Sequence, residues 1–309
     1  MAKKHSKVPA AGAEKPIRDL YQEVTRKVIL ALEKGVAPWI RPWSTGEGFP
    51  INATTNVPYQ GINVLVLWST AMNAEYPTDR WLTFKQACEV GGHVRAKESG
   101  TTCLKYQMIE KTVTNPDGTT GLERFPLPKP FTLFNVAQCD NLPAEVQLGA
   151  LQGPPLTVVQ RIEVVESYLS RIPAKVIHRG DVAKYDLVRD VISLPNPARF
   201  SSPEAYYSRR AHELIKWTMT EDRCARTYSE SDPTAQAFEM LVAEMGAAFL
   251  CAQWGLLAEL QHPQYIAAWL EALGNDKTWL FKALRQARKA VEYLTTYQSE
   301  AMPTLPKAA

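Results

Sequence analysis

Ser202-Pro-Glu-Ala-Tyr-Tyr-Ser-Arg-Arg-Ala-His-Glu-Leu-Ile-Lys-Trp-Thr218 is the stretch on which the reading of this chain turns. Ser202, Pro203 and Glu204 form a helix start: a side-chain acceptor for the free N–H groups, a residue with preset φ, and an acid at the positive helix end. Inside the helix lies the pair His212-Glu213. A zinc-peptidase helix carries a first histidine ligand, a glutamate beside it as general base, and a second histidine at i+4 on the same face. His212 and Glu213 hold the first two places, and Lys216 holds the third. Taken alone, a His-Glu pair is equally well read as a satisfied core histidine. The segment Glu239-Met-Leu-Val-Ala-Glu-Met-Gly-Ala-Ala-Phe-Leu-Cys251 adds to it, because it sets Glu244 among small and apolar residues. A carboxylate there is costly unless it meets a metal or a cation. His212, Glu213 and Glu244 thus outline a three-point site.

Around this stretch the periodicity is mainly helical. Residues 157–169, 202–218, 235–260, 263–273 and 277–296 read as helices, and Lys175 to His178 and Lys184 to Leu194 as the strands of a hairpin. Upstream, Leu20, Val24, Val28, Ala31 and Leu32 recur at helical spacing until Gly35 and Pro38 end the pattern. Pro38 to Pro50 is an aromatic loop, Gly61 to Ala74 a buried helix, and Trp81 to Val90 a short helix capped by Thr83 and ended at Gly91-Gly92. His93 to Ile109 alternates like strands around a turn at residues 97–102. Asn115-Pro-Asp-Gly118 is a hairpin turn, and Phe131 to Val136 closes a small sheet. Both halves are therefore α+β, the second mainly helical with a small sheet. The expected boundaries are a basic arm at 1–14, a first domain at 15–145, a linker at 146–156, a second domain at 157–300 and a tail at 301–309.

The length of 309 residues suits two domains at about 150 residues each. With 45% hydrophobic and 22% charged residues the composition is that of a folded globular chain. The apolar stretch Ile62 to Trp68 is interrupted by Asn63 and falls far short of the roughly 20 residues of a membrane span. Met1-Ala-Lys-Lys-His-Ser-Lys7 is basic without an apolar region behind it, so no secretory signal and no membrane partner are expected, and the address read from it is cytoplasmic. The five cysteines contain no C-x-x-C pair and read as reduced thiols rather than as disulfides or a cysteine-built zinc site. The net charge of +3 arises in residues 1–145, with 17 Lys and Arg against 14 Asp and Glu, whereas the remainder balances at 18 each. That asymmetry points to a polyanion partner for the first domain.

The blocks Asp19 to Thr25, Ala37-Pro-Trp-Ile-Arg-Pro-Trp43, Tyr59-Gln-Gly-Ile-Asn63, Arg80-Trp-Leu-Thr83, Gly91-Gly-His-Val-Arg95, Phe134-Asn-Val136, Pro203-Glu-Ala-Tyr-Tyr207, His212-Glu-Leu214 and Val242 to Leu250 carry a resemblance that spans Ile17 to Leu294. The chain resembles the plasmid-borne antirestriction proteins of the ArdC type. The resemblance implies an N-terminal single-stranded DNA-binding domain, a C-terminal zincin-like metallopeptidase domain, and protection of incoming plasmid DNA during conjugation. It also implies zinc, with His212 and Glu244 as ligands and Glu213 as the catalytic base. The sequence departs from the family at the site: Lys216 replaces the second histidine, Met219 a glycine, and Glu239-Met240 a pair of acids. An ammonium has no lone pair for a metal. Either Lys216 takes the place of the cation and pairs with Glu213 or Glu244, or a weaker metal site recruits another ligand such as His178 or Asp181.

Single-stranded DNA is held by aromatic faces beside a basic groove. The candidates are Trp39, Arg41, Trp43 and Phe49 for the first, and Arg80, Arg95, Lys97 and Lys105 for the second, with N–H groups of Gly91-Gly92 and residues 100–102 facing phosphates. Two other functions stay open: an active zinc metallopeptidase acting on a host restriction or other protein, and an accessory module of a plasmid primase or conjugation complex.

Overall fold

The computed structural model describes residues 19–40, 48–114, 120–149, 157–259 and 263–298. Helix α1 (Leu20–Glu33) starts where the Asp19 carboxylate accepts from the Gln22 N–H and buries Leu20, Val24, Val28 and Leu32, the expected stripe. Strand β1 (Ile51–Asn52), helix α2 (Ile62–Asn73), strand β2 (Arg80–Leu82) and helix α3 (Phe84–Glu89) follow. Thr83 and Gln86 cap α3 reciprocally, a capping box that fixes its first turn. The segment before that cap, read as helix from Trp81, is strand β2 instead.

Strands β3 (His93–Val94), β4 (Thr101–Thr114), β5 (Thr120–Asn135) and β6 (Cys139–Asp140) and helix α4 (Ala144–Leu148) complete the first half. One sheet runs β1-β2-β5-β4, and β3 pairs with β6 in a separate two-stranded sheet. The alternation from His93 to Ile109 therefore belongs to two sheets, because β3 finds its partner far along the chain, His93 opposite Asp140. β4 and β5 form the expected hairpin, antiparallel from Thr101 opposite Leu133 to Thr114 opposite Thr120. The turn itself lies outside the described residues. Only the base of this ribbon joins the sheet; beyond Leu104 nearly every side chain is exposed or half-exposed.

The second half opens with α5 (Val158–Leu169), capped by a Thr157–Gln160 box. Three short strands follow: β7 (Lys175–His178), β8 (Lys184–Asp186) and β9 (Val191–Leu194). They do not make the hairpin expected from the sequence. A turn ending at Asp190, with φ of 51°, splits the second stretch, and β9 lies in the middle, parallel to β7 and antiparallel to β8. Helices α6 (Pro203–Trp217), α7 (Pro233–Trp254), α8 (Ile266–Asn275) and α9 (Trp279–Thr295) close the fold. α7 stops short of the expected Leu260 because Gly255 takes a left-handed conformation, φ 65°, at its end. α7 has 22 residues and is long and apolar enough to cross a membrane, yet 83% of its apolar window is buried inside the protein. It is the core helix of the C-terminal half, longer than the apolar stretch noted in the sequence.

The two domains share one core. Trp39 packs edge-on against Trp269 at 5.6 Å between ring centres, and Phe49 and Trp68 both meet Phe249. The Thr25 hydroxyl donates to the Lys277 carbonyl at 2.9 Å. α1 and α2 thus cover the α7, α8 and α9 bundle, while Leu82, Ala87, Val136, Leu142 and Val146 make a separate small cluster under the strands. Each large apolar side chain so buried is worth about 1.5–3 kcal/mol.

Candidate active site and nucleic-acid surface

The Ser202 hydroxyl accepts from the Ala205 N–H and starts α6 where the sequence predicted. α6 and α7 lie close together because Gly246 has no side chain: a Cβ there would sit 2.8 Å from Ile215. That approach explains a glycine in a helix interior, where it costs about 0.5–1 kcal/mol relative to alanine. His212 and Glu213 on α6 are fully buried, and Glu244 on α7 is 1% exposed.

Glu213 is the electrostatic centre of α6. One carboxylate oxygen lies 3.3 Å from His212 Nδ1. The other accepts from the Tyr185 backbone N–H of β8 at 2.8 Å and meets the Lys216 Nζ at 3.1 Å. Burial pushes its pKa up, but the His212 hydrogen bond and the Lys216 charge outweigh burial and hold it far below the usual carboxylate range. The pairing of Lys216 is therefore with Glu213, the first of the two acids considered.

A second buried pair lies beside it. Arg226 donates to both oxygens of Glu239, at 2.9 and 2.7 Å, and also to the Thr218 hydroxyl and the Ile215 carbonyl at the end of α6. Arg226 escaped the sequence reading: it stands in the irregular stretch between two helices, and the signal for it was Glu239, a carboxylate on an apolar helix that demands a cation. Next to it Arg223 stacks 3.7 Å over the Trp217 ring and pairs with Asp190, whose carboxyl it holds below its ordinary value.

The donor set does not fit a tetrahedral metal. Position 216 offers an ammonium already committed to Glu213, and among the described residues no three His, Cys, Asp or Glu side chains converge as ligands. The proposed replacements are engaged elsewhere: His178 Nε2 lies 3.0 Å from the Tyr206 hydroxyl, and Asp181 pairs with Arg199.

The nucleic-acid candidates need larger corrections. Trp39 is fully buried against Trp269, and Phe49 is buried between Trp68 and Phe249, so neither offers a face to a base. Arg80 is buried too, donating to the carbonyls of Val146 and Ala53, each at 2.9 Å, and to the Asn56 side chain. It ties β2 to α4 and to the turn after β1 and has no reach to a phosphate. Arg95 is partly exposed, but Glu98, Asp140 and the Ala137 carbonyl take its donors. Lys97 and Lys105 are exposed. Arg41 and Trp43 lie outside the described residues. A Cβ on Gly92 would strike Leu142, and one on Gly100 would strike Thr132 and Phe134, so both glycines serve close packing of the chain.

Comparison with known proteins agrees with this architecture. Residues 18–134 match the N-terminal domain of anti-restriction factor ArdC, and residues 163–286 match a zincin-like metallopeptidase domain. Protein y4eC of Sinorhizobium fredii is 29% identical over 92% of this chain and 94% of its own length. A DNA primase TraC of Escherichia coli is 30% identical over 92% of this chain, but the chain spans only 20% of that primase. The crystal structure of the antirestriction ArdC protein of plasmid R388, metal-free, superposes with a TM-score of 0.76 at 34% identity, covering 91% of this chain and 98% of that one. Its Mn(II)-bound form superposes at 0.74, so a divalent metal belongs to that relative. With a relative matched along nearly its whole length and both family domains present in order, the chain belongs to the ArdC family of antirestriction proteins, with a zincin-like C-terminal domain.

Proposed function

We propose that this chain is an antirestriction protein that acts by binding single-stranded DNA, protecting plasmid DNA as it enters the cytoplasm during conjugation, and that its zincin-like domain is a structural remnant without peptidase activity. The observation that carries the second half is the 3.1 Å ion pair of Lys216 with Glu213. It fills the position of the second ligand with a positive charge, and it engages the carboxylate that a peptidase would need as a general base. Zinc, the metal implied by the resemblance, would find His212 and Glu244 without a third donor at position 216. The DNA half is supported by the match to the ArdC N-terminal domain and by the primase relatives, in which a unit like this one accompanies an activity on DNA. Those primases also favour a second reading, an accessory DNA-handling module of a conjugation complex.

The test is metal analysis of the purified protein after equilibration with Zn(II) or Mn(II). Well below one equivalent is expected, rising in Lys216→His, which sets two imidazoles one helical turn apart. Stoichiometric metal in the native protein, lost in His212→Ala, would overturn the reading of an inert site.

A further inference from the structure

The burial of Trp39, Phe49 and Arg80 removes part of the single-stranded DNA surface that the sequence suggested, while Lys105, another of its candidates, stays exposed. The β4–β5 ribbon, which carries Lys105, supplies a surface. Side chains directly opposite each other on an antiparallel pair share a face, as do those two residues along. One face of the ribbon therefore carries Lys105 opposite Lys129, then Gln107 opposite Leu127, then Ile109 opposite Phe125, then Lys111 opposite Glu123. The three lysines are exposed, and Phe125 and Leu127 are 40% and 42% exposed. Six residues of extended strand set Lys105 and Lys111 about 20 Å apart.

The opposite face differs. There Glu110 and Arg124 neutralise each other at 2.8 Å, and the Tyr106 hydroxyl meets that of Tyr21 on α1. Like charges directly across a strand pair are destabilising, and among the described residues neither Lys105 nor Lys129 has an ion-pair partner. Protection of the β5 edge does not account for Lys129, because Pro126, Pro128 and Pro130 already remove three successive outward N–H donors from that edge. A pair of facing lysines next to an exposed phenyl ring is instead complementary to phosphates flanking an unstacked base.

We infer that the Lys105–Lys129 face of the β4–β5 ribbon is the contact surface for single-stranded nucleic acid, with Lys105 and Lys129 on phosphates and Phe125 beneath a base. This rests on the reading of the chain as a single-strand binder. The lysines lie on a projecting ribbon rather than in the core, so their replacement is expected to leave the fold intact.

The experiment is fluorescence anisotropy of the full chain with a labelled oligo-dT, titrated over a range of salt, beside melting curves of each variant. Lys105→Ala with Lys129→Ala is expected to weaken binding about tenfold or more and to lower the salt slope by about 1.4, at roughly 0.7 per phosphate contact. Phe125→Ala is expected to weaken it about fivefold or more, and Arg124→Ala, on the other face, to leave it unchanged. If the double variant lowers the melting temperature, Lys129→Gln alone is read in the same way. Native protein that binds, with lysine variants that bind equally well and with the same salt slope, overturns the ribbon site and leaves single-strand binding standing. Native protein that binds no single strand overturns both. An effect of the lysines without one of Phe125 overturns the stacking contact.

Discussion

The α6–α7 interior and the β4–β5 ribbon differ in whether a like-charge pair is tolerated: the ribbon carries opposite pairs at Glu110–Arg124 and Lys111–Glu123, but also one like pair. Between α6 and α7, Arg226 faces Glu239 with side chains 2% and 1% exposed, and Lys216 faces Glu213 at 15% and 0%. On the ribbon, Lys105 faces Lys129. Desolvation explains the contrast. A buried ion without a partner costs several kcal/mol, whereas an exposed one costs almost nothing because water solvates it. Pairing in the interior is thus a condition of folding. A like pair on the surface is compatible with the fold, and the proposed DNA contact supplies a reason for it.

The comparison can be broken by removing charges in order of burial. Arg226→Met strands Glu239 in the core and is expected to cost about 3–5 kcal/mol, read from the urea midpoint, and much of the loss should return in the double variant with Glu239→Leu. Lys216→Met removes a cation that is 15% exposed and leaves Glu213 with the Tyr185 N–H and His212, and about 2 kcal/mol is expected by the same measurement. Asp190→Asn, at a carboxylate 49% exposed, should cost less than about 1 kcal/mol at neutral pH. The sign of its pH dependence follows from the lowered pKa of Asp190. The contribution is full above the unfolded-state value near 3.9 and disappears as pH falls through the folded value. Melting temperatures of the two proteins should therefore converge toward acid pH. Lys129→Glu sharpens the other side. It turns a like pair into an opposite one, so it should leave stability unchanged or raise it by a few tenths of a kcal/mol, while weakening oligo-dT binding.

Local features were legible in the sequence. The starts of α3, α5 and α6 follow from Thr83, Thr157 and Ser202, whose hydroxyls accept from N–H groups three residues on. The stripe of α1 and the long hairpin also followed from spacing and turn chemistry. Features that depend on distant partners were not legible. The parallel pairing of β7 with β9 is decided by how the intervening chain crosses over, not by either strand alone. Trp39 and Arg80 each read as surface groups from their neighbours, but one packs on Trp269 and the other reaches the Val146 carbonyl, contacts 230 and 66 residues away in sequence. At the site, the replacement at position 216 was visible at once, and its choice of Glu213 over Glu244 needed the geometry of the helix.

The shared core also limits how this chain can be divided. A cut near residue 150 would leave Leu20, Val24, Leu65 and Trp39 on one piece and Phe249, Trp269 and Leu280 on the other, each deprived of apolar cover. Neither piece is a self-sufficient folding unit, so the two family domains should melt in one transition despite their separate sequence signatures. Recombination that exchanged one domain alone would have to rebuild the seam between α1, α2 and the C-terminal bundle. The primase relatives match the block on both sides of that seam.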